Sequence, residues 1–105
     1  GVLICFDWIF PEIWRRLALD GAQLVLHPSN LVLPKKCQRG MPARAMENRI
    51  FVVTCNRVGT ERGTTFTGGS LALDPEGDAE PERHGVVETG VDPVTPRFSG
   101  VCSAN

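Results

Sequence analysis

A chain of 105 residues with a net charge of −1 and a pI of about 6.1 fits one domain or part of one. It has no basic block and no aromatics interleaved with arginines, which argues against nucleic acid and anionic membrane surfaces as partners. No apolar stretch approaches the ~20 residues of a membrane helix. No basic segment precedes the apolar start, so the pattern is not that of a secretory signal. The chain opens without a methionine and inside an apolar run, which reads as a segment of a longer protein.

Val2-Leu3-Ile4 reads as a short buried strand, and Cys5 stands where that strand should end. Phe10-Pro11-Glu12 then opens a helix, with proline at the first helical position and an acid at the positive end of the dipole. Strand, cysteine, turn and helix together present a thiol at the carboxyl edge of a sheet. The competing reading is a small core residue, since free cysteine is among the most buried residue types. The helix is expected from Pro11 to Asp20, with Ile13, Trp14, Leu17 and Ala18 on one face and Gly21 as its left-handed cap.

Gln23 to His27 predicts a second strand, broken by Pro28-Ser29-Asn30. Strand, helix and strand form a βαβ unit with parallel pairing. Leu31 to Gly40 reads as a loop, its Lys35-Lys36 pair as solvated surface, and Met41 to Asn48 as a helix. Ile50 to Cys55 is the clearest strand, nearly all β-branched or aromatic, and Asn56-Arg57-Val58-Gly59 ends it.

A further strand is expected over Thr64 to Leu73, interrupted at Gly68-Gly69 by a bulge or a close backbone approach. Asp74-Pro75-Glu76-Gly77 has the residues of a turn. Asp78 to His84 reads as a charged hairpin loop, Gly85 to Thr89 as a last short strand, and the rest as extended chain. Cys5, Cys37, Cys55 and Cys102 contain no C-x-x-C pair, so a zinc site has little support and reduced, cytoplasmic thiols are expected. Cys37, Cys55 and Cys102 are assigned to packing or loops.

Eight short motifs follow one another in order. They are Gly1-Val2-Leu3-Ile4-Cys5-Phe6-Asp7, Phe10-Pro11-Glu12, Gly21-Ala22, His27-Pro28-Ser29-Asn30, Arg44-Ala45-Met46-Glu47-Asn48, Asn56-Arg57-Val58-Gly59, Phe66-Thr67-Gly68-Gly69-Ser70 and Asp74-Pro75-Glu76-Gly77. The series resembles the carbon–nitrogen hydrolase, or nitrilase, superfamily. Phe6-Asp7-Trp8 and the run from His27 to Pro34 are closest to its nitrilase-like and aliphatic-amidase-like members.

The resemblance implies an α/β chain: a partial four-layer α-β-β-α sandwich, truncated at both ends, with residues 1–105 as the nucleophile-containing part of one hydrolase domain. It implies a Glu–Lys–Cys triad in which only the cysteine maps here, to Cys5, while the glutamate and lysine lie upstream. It also implies no metal, no organic cofactor and a homo-oligomer, dimeric or higher. Cys5 is then the nucleophile toward a small nitrile or amide, and the backbone N–H of Phe6 joins the oxyanion hole.

Asn30 and Trp8 are candidates for the substrate pocket, and for Trp8 core or interface packing is an equal reading. Glu12 and Arg44 are expected to form a structural ion pair, with Glu47 a helix-positioning carboxylate. His27 reads as a satisfied structural residue rather than half of a Cys–His dyad. The alternative to a hydrolase is a non-catalytic interaction module on the same fold.

Overall fold

The computed structural model describes residues 1–79; the expectations for Gly85–Thr89 and the chain beyond, for Cys102, and for most of the 78–84 loop fall outside them. After an extended start, Cys5–Ile9 forms a 3-10 turn, followed by α1 (Pro11–Leu19), β1 (Leu24–Ser29), α2 (Lys36–Asn48), β2 (Phe51–Asn56), β3 (Val58–Glu61), β4 (Thr64–Thr67) and β5 (Leu71–Leu73). One sheet has the order β1-β2-β5, and β3-β4 is a separate hairpin. β1 and β2 pair in parallel, with α2 as the crossover, and β5 joins β2 antiparallel.

The opening βαβ unit is present in reduced form. Leu3 N–H reaches Leu26 O at 3.0 Å and Leu26 N–H reaches Gly1 O at 2.9 Å, which makes a single parallel bridge, Val2 to Leu26. The segment is not buried, however: Val2 and Ile4 are 59% and 61% exposed. Helix α1 ends as its sequence requires. Gly21, at φ 99°, donates to Ala18 O and Ala22 to Leu17 O, both at 3.0 Å, which is a Schellman cap.

Burial along β1 alternates strictly, so Val25, His27 and Ser29 face the helices while Leu24, Leu26 and Pro28 face away. The strand does not stop before Pro28 as expected but runs through Ser29. Proline is tolerated there because the opening segment bonds β1 only as far as Leu26, so no neighbour needs an N–H at position 28. The core is built from Trp14 of α1, Met41 and Ala45 of α2, and Val25, Ile50, Val52 and Leu73 of the sheet region.

Helix α2 begins five residues earlier than the sequence suggests and carries Pro42 inside it. Lys35, at φ 62°, turns the chain into the helix, and Arg39 N–H closes on Lys35 O at 3.1 Å. The hairpin strand β3 was not anticipated. The two glycines after β4 meet the expected close approach: a Cβ on Gly68 would stand 2.7 Å from Val58 Cγ1, and one on Gly69 2.6 Å from Gln38 Nε2. The 74–77 turn closes with Gly77 N–H on Asp74 O at 2.9 Å, while Asp74 Oδ1 accepts the N–H groups of Glu76 and Asp78.

Candidate active site

Cys5 follows directly on the extended start, at the carboxyl edge of the sheet, and its φ of 51° places a non-glycine residue in the left-handed region. Such a conformation costs on the order of 1–3 kcal/mol and persists only where neighbouring bonds hold it. Three bonds around Cys5 do so. Ile4 N–H donates to Asp7 Oδ2 at 2.8 Å, Asp7 N–H donates to Ile4 O at 3.1 Å, and the Cys5 carbonyl accepts from His27 Nε2 at 2.7 Å.

His27 is fully buried on β1. Its Nδ1 lies 3.0 Å from Thr54 Oγ1, and the Ser29 hydroxyl stands 3.1 Å from Nε2. Burial lowers the pKa of the ring below the ordinary histidine value; the hydrogen bond to the Cys5 carbonyl and the charge of Asp7 oppose that shift without overcoming it. A neutral ring that donates from Nε2 to the carbonyl accepts the Thr54 hydroxyl at Nδ1. His27 is thus satisfied structurally, as expected, and among the described residues its hydrogen bonds include none to the Cys5 thiol.

Cys5 is half-buried, on a cleft of about 270 Å³ lined by Cys5, Phe6, Trp8, Asn30, Leu31, Val32 and Leu33. The structure therefore brings together the four residues proposed for nucleophile, oxyanion donor and substrate pocket. Trp8 lies between the cleft and helix α2. Its ring borders the cleft and also packs on α2, where a Cβ at Gly40 would stand 3.2 Å from Trp8 Cζ3.

The far wall, Leu31 to Leu33, was missed as part of the site. Its sequence signal is an apolar run straight after a strand break, where a solvated loop would be polar. That wall is fastened through Leu31: its N–H donates to Asn56 Oδ1 at 2.8 Å, and its carbonyl accepts Thr67 N–H at 3.0 Å and Thr67 Oγ1 at 3.1 Å. Asn56 is fully buried at the end of β2, and its amide donates to Thr67 Oγ1 and Gly68 O.

The expected Glu12–Arg44 ion pair is not formed. Arg44 lies across the base of the 3-10 turn instead, with Nε on Trp8 O at 3.2 Å and Nη1 on Glu47 Oε1 at 3.3 Å. Glu12 is exposed in the first turn of α1. The reason is reach: the Trp8 carbonyl and Glu47, one turn along the same helix, satisfy the guanidinium locally.

Cys37 is the other free thiol of the described residues. It is buried in α2, and burial, with a smaller contribution from Cys5, pushes it up to about 12. No helix among the described residues is long and apolar enough to cross a membrane.

A thiol in a strained turn, at the carboxyl edge of an α/β sheet and open to an apolar cleft, defines the chain as an α/β protein of the cysteine-presenting kind. Residues 1–88 match the family model for carbon-nitrogen hydrolases. The chain belongs to the carbon-nitrogen hydrolase family. It is 54% identical over 78 residues to a nitrilase of Pyrococcus abyssi, which covers 74% of this chain and 29% of that protein. It is 35% identical over 95 residues to the 2-oxoglutaramate amidase of Bacillus subtilis, covering 86% and 37%.

Among solved structures, a cysteine-to-alanine variant of the Nesterenkonia AN1 amidase, from the nitrilase superfamily, superposes with a TM-score of 0.70 at 40% identity, over 74% of this chain and 30% of that one. Another variant of that amidase carries the acetamide moiety of fluoroacetamide on its active-site cysteine. The chain spans about a third of the length of these relatives.

Proposed function

We propose that residues 1–105 are the nucleophile-bearing part of one hydrolase domain that cleaves non-peptide carbon–nitrogen bonds in small amides or nitriles, with Cys5 as the nucleophile. The single observation that carries this reading is the placement of Cys5: strained, half-buried and bordering the cleft that Phe6, Trp8 and Asn30 also line. Membership of the family and the amidase and nitrilase relatives support it.

In the proposed reaction the Cys5 thiolate attacks the amide carbon. A C–S bond forms and the carbonyl π pair moves to oxygen, where the Phe6 N–H and an upstream lysine receive the charge. The upstream glutamate, having taken the thiol proton, delivers it to nitrogen as the C–N bond breaks and ammonia leaves. Water then attacks the thioester, the C–S bond breaks, and acid and thiol are released. A nitrile follows the same course through a thioimidate, with a second water. Trp8 and Asn30 border the acyl group. A homo-oligomeric, cytoplasmic enzyme completes the proposal.

The test is made on the full-length protein. Cys5→Ala should fold with the wild-type thermal transition and lose nearly all turnover on a panel of simple amides and nitriles. Iodoacetamide should label Cys5 far ahead of Cys37, whose thiol is buried and pushed up to about 12 by that burial. Cys5→Ser should not rescue, since a hydroxyl is far less ionised than a thiol near neutral pH. Turnover surviving in Cys5→Ala would remove Cys5 as nucleophile, whereas a wild-type protein without turnover on the whole panel would favour the interaction module.

A further inference from the structure

We propose that His27 is a positioning residue for the oxyanion-binding peptide, its Nε2–H fixing and polarising the Cys5–Phe6 amide through the Cys5 carbonyl. The inference rests on the reading of Cys5 as nucleophile and Phe6 N–H as oxyanion donor, and it assigns a role that reading leaves open. The argument begins with the peptide group. The carbonyl of Cys5 and the N–H of Phe6 belong to one planar amide, and the peptide is trans, so the two bonds point in opposite directions. Whatever fixes the C=O therefore fixes the N–H.

The donor that holds this C=O is unusually well placed to do so. His27 Nε2 lies 2.7 Å from Cys5 O, on a ring that is fully buried and cannot swing to solvent. Its position is set from three sides. Thr54 Oγ1 meets Nδ1 at 3.0 Å, the Ser29 hydroxyl stands beside the ring, and Trp14 packs edge-to-face at 5.6 Å between centroids. The Cys5 carbonyl can only accept, so it requires the proton on Nε2, and the Thr54 hydroxyl then donates to the unprotonated Nδ1 and holds the ring from that side.

That proton then draws electron density toward the carbonyl oxygen, and the amide responds by making its own N–H a stronger donor. The N–H points away from the buried ring. The left-handed turn at Cys5 supplies the second reason for a dedicated donor. At φ 51° the backbone on either side of the nucleophile is not where a strand would leave it, and its carbonyl is not taken up by a sheet neighbour. A side chain from β1 takes that place. Thr54 lies opposite His27 in the parallel register, so two adjacent strands hold one peptide.

The experiment compares two reactions of the same thiol in the full-length protein. Amide hydrolysis passes through an oxyanion; alkylation by iodoacetamide does not, because thiolate displaces iodide at a saturated carbon. His27→Met fills the space without a donor. It should lower kcat about 10–100-fold, less than the roughly 100–1,000-fold that outright loss of an oxyanion donor costs because the Phe6 N–H remains, with KM within about 2-fold and the alkylation rate within about 3-fold. His27→Gln, whose neutral amide can donate from the same reach, should recover most of kcat.

Should His27→Met fail to fold, Thr54→Val carries the test, since it removes the hydroxyl that holds Nδ1 and so loosens the ring's aim on the Cys5 carbonyl while keeping the ring. It should lower kcat several-fold and spare alkylation. The proposal is overturned if His27→Met turns over at the wild-type rate. Alkylation falling in parallel with kcat, His27→Gln no better than His27→Met, or an unchanged Thr54→Val used in its place would also overturn it. An active Cys5→Ala would instead remove the underlying reading, so the two failures are told apart by that one control.

Discussion

The helix-covered face of β1 and β2 has two ends, and they use burial for different purposes. At the amino end the register pairs Val25 with Val52, both fully buried against Trp14, Met41 and Ala45. Two and four residues further on the same face pairs His27 with Thr54 and Ser29 with Asn56, equally buried but polar throughout. Burying a polar group costs about 1–3 kcal/mol where its bond is missing, so these positions are tolerable only because their bonds are made. The bonds go to loops rather than to the core: His27 to the carbonyl of Cys5, Asn56 to the N–H of Leu31. One end of the sheet holds the molecule together, and the other holds the cleft in shape.

The largest effect should come from breaking the apolar end. Trp14 is fully buried and its Nε1 donates to Asp7 O at 2.9 Å, tying α1 to the turn that carries Cys5. Trp14→Ala should destabilise the protein by about 3–5 kcal/mol, read by urea unfolding. The folded fraction should keep a KM near that of the wild type, which assigns the loss to stability. A large KM change in fully folded protein would show that the two ends are not separable in this way.

Asn56→Ala probes the polar end and should cost less, about 1–3 kcal/mol, because the N–H of Leu31 and the carbonyl of Gly68 lose their amide partner. Its kinetic signature should be the opposite of that for Trp14→Ala. KM for amide should rise several-fold as the Leu31–Leu33 wall loosens, while Cys5 alkylation stays unchanged. A variant that loses stability but keeps its KM would show that the wall is held by Thr67 alone.

The division explains what could be read in the sequence. Alternating or apolar runs, such as Phe51 to Cys55 and the Trp14 face of α1, announce themselves, because hydrophobic burial is local in pattern. The series of short motifs placed Cys5, Phe6, Trp8 and Asn30, and all four border one cleft. What escaped was decided by partners distant in sequence. β1 runs through Pro28 because its other neighbour stops at Leu26.

Helix α2 starts at Lys36 because a left-handed Lys35 turns the chain into it, which no propensity for lysine foretells. Hairpin strand β3 is exposed throughout, so it has no burial pattern to read. Val2 and Ile4 have a buried strand's sequence but lie on the open side, as do Leu24, Leu26 and Phe51. Their hydrophobicity matches a face that the described residues leave uncovered, where the resemblance places a second sheet.

The smallest effect concerns the ion pair that the sequence misassigned. Helix order suggested Glu12 as the partner of Arg44, yet the guanidinium meets Trp8 O and Glu47. The Arg44 side chain is 15% exposed and that of Glu47 38%, so solvent screens much of their attraction. A double-mutant cycle on Arg44 and Glu47, read by urea unfolding, should give a coupling of about 0.3–1 kcal/mol. The parallel cycle on Arg44 and Glu12 should be additive to within about 0.3 kcal/mol, because no contact links them. Arg44→Lys separates the two bonds that Arg44 makes: a lysine keeps charge near Glu47 but loses the directed Nε–H on the Trp8 carbonyl. It should therefore retain most of the coupling and still shift the cleft at Trp8, seen as a modest rise in KM. A coupling to Glu12 larger than that to Glu47 would restore the pairing read from helix order and place Arg44 outside the group of residues that hold the polar end.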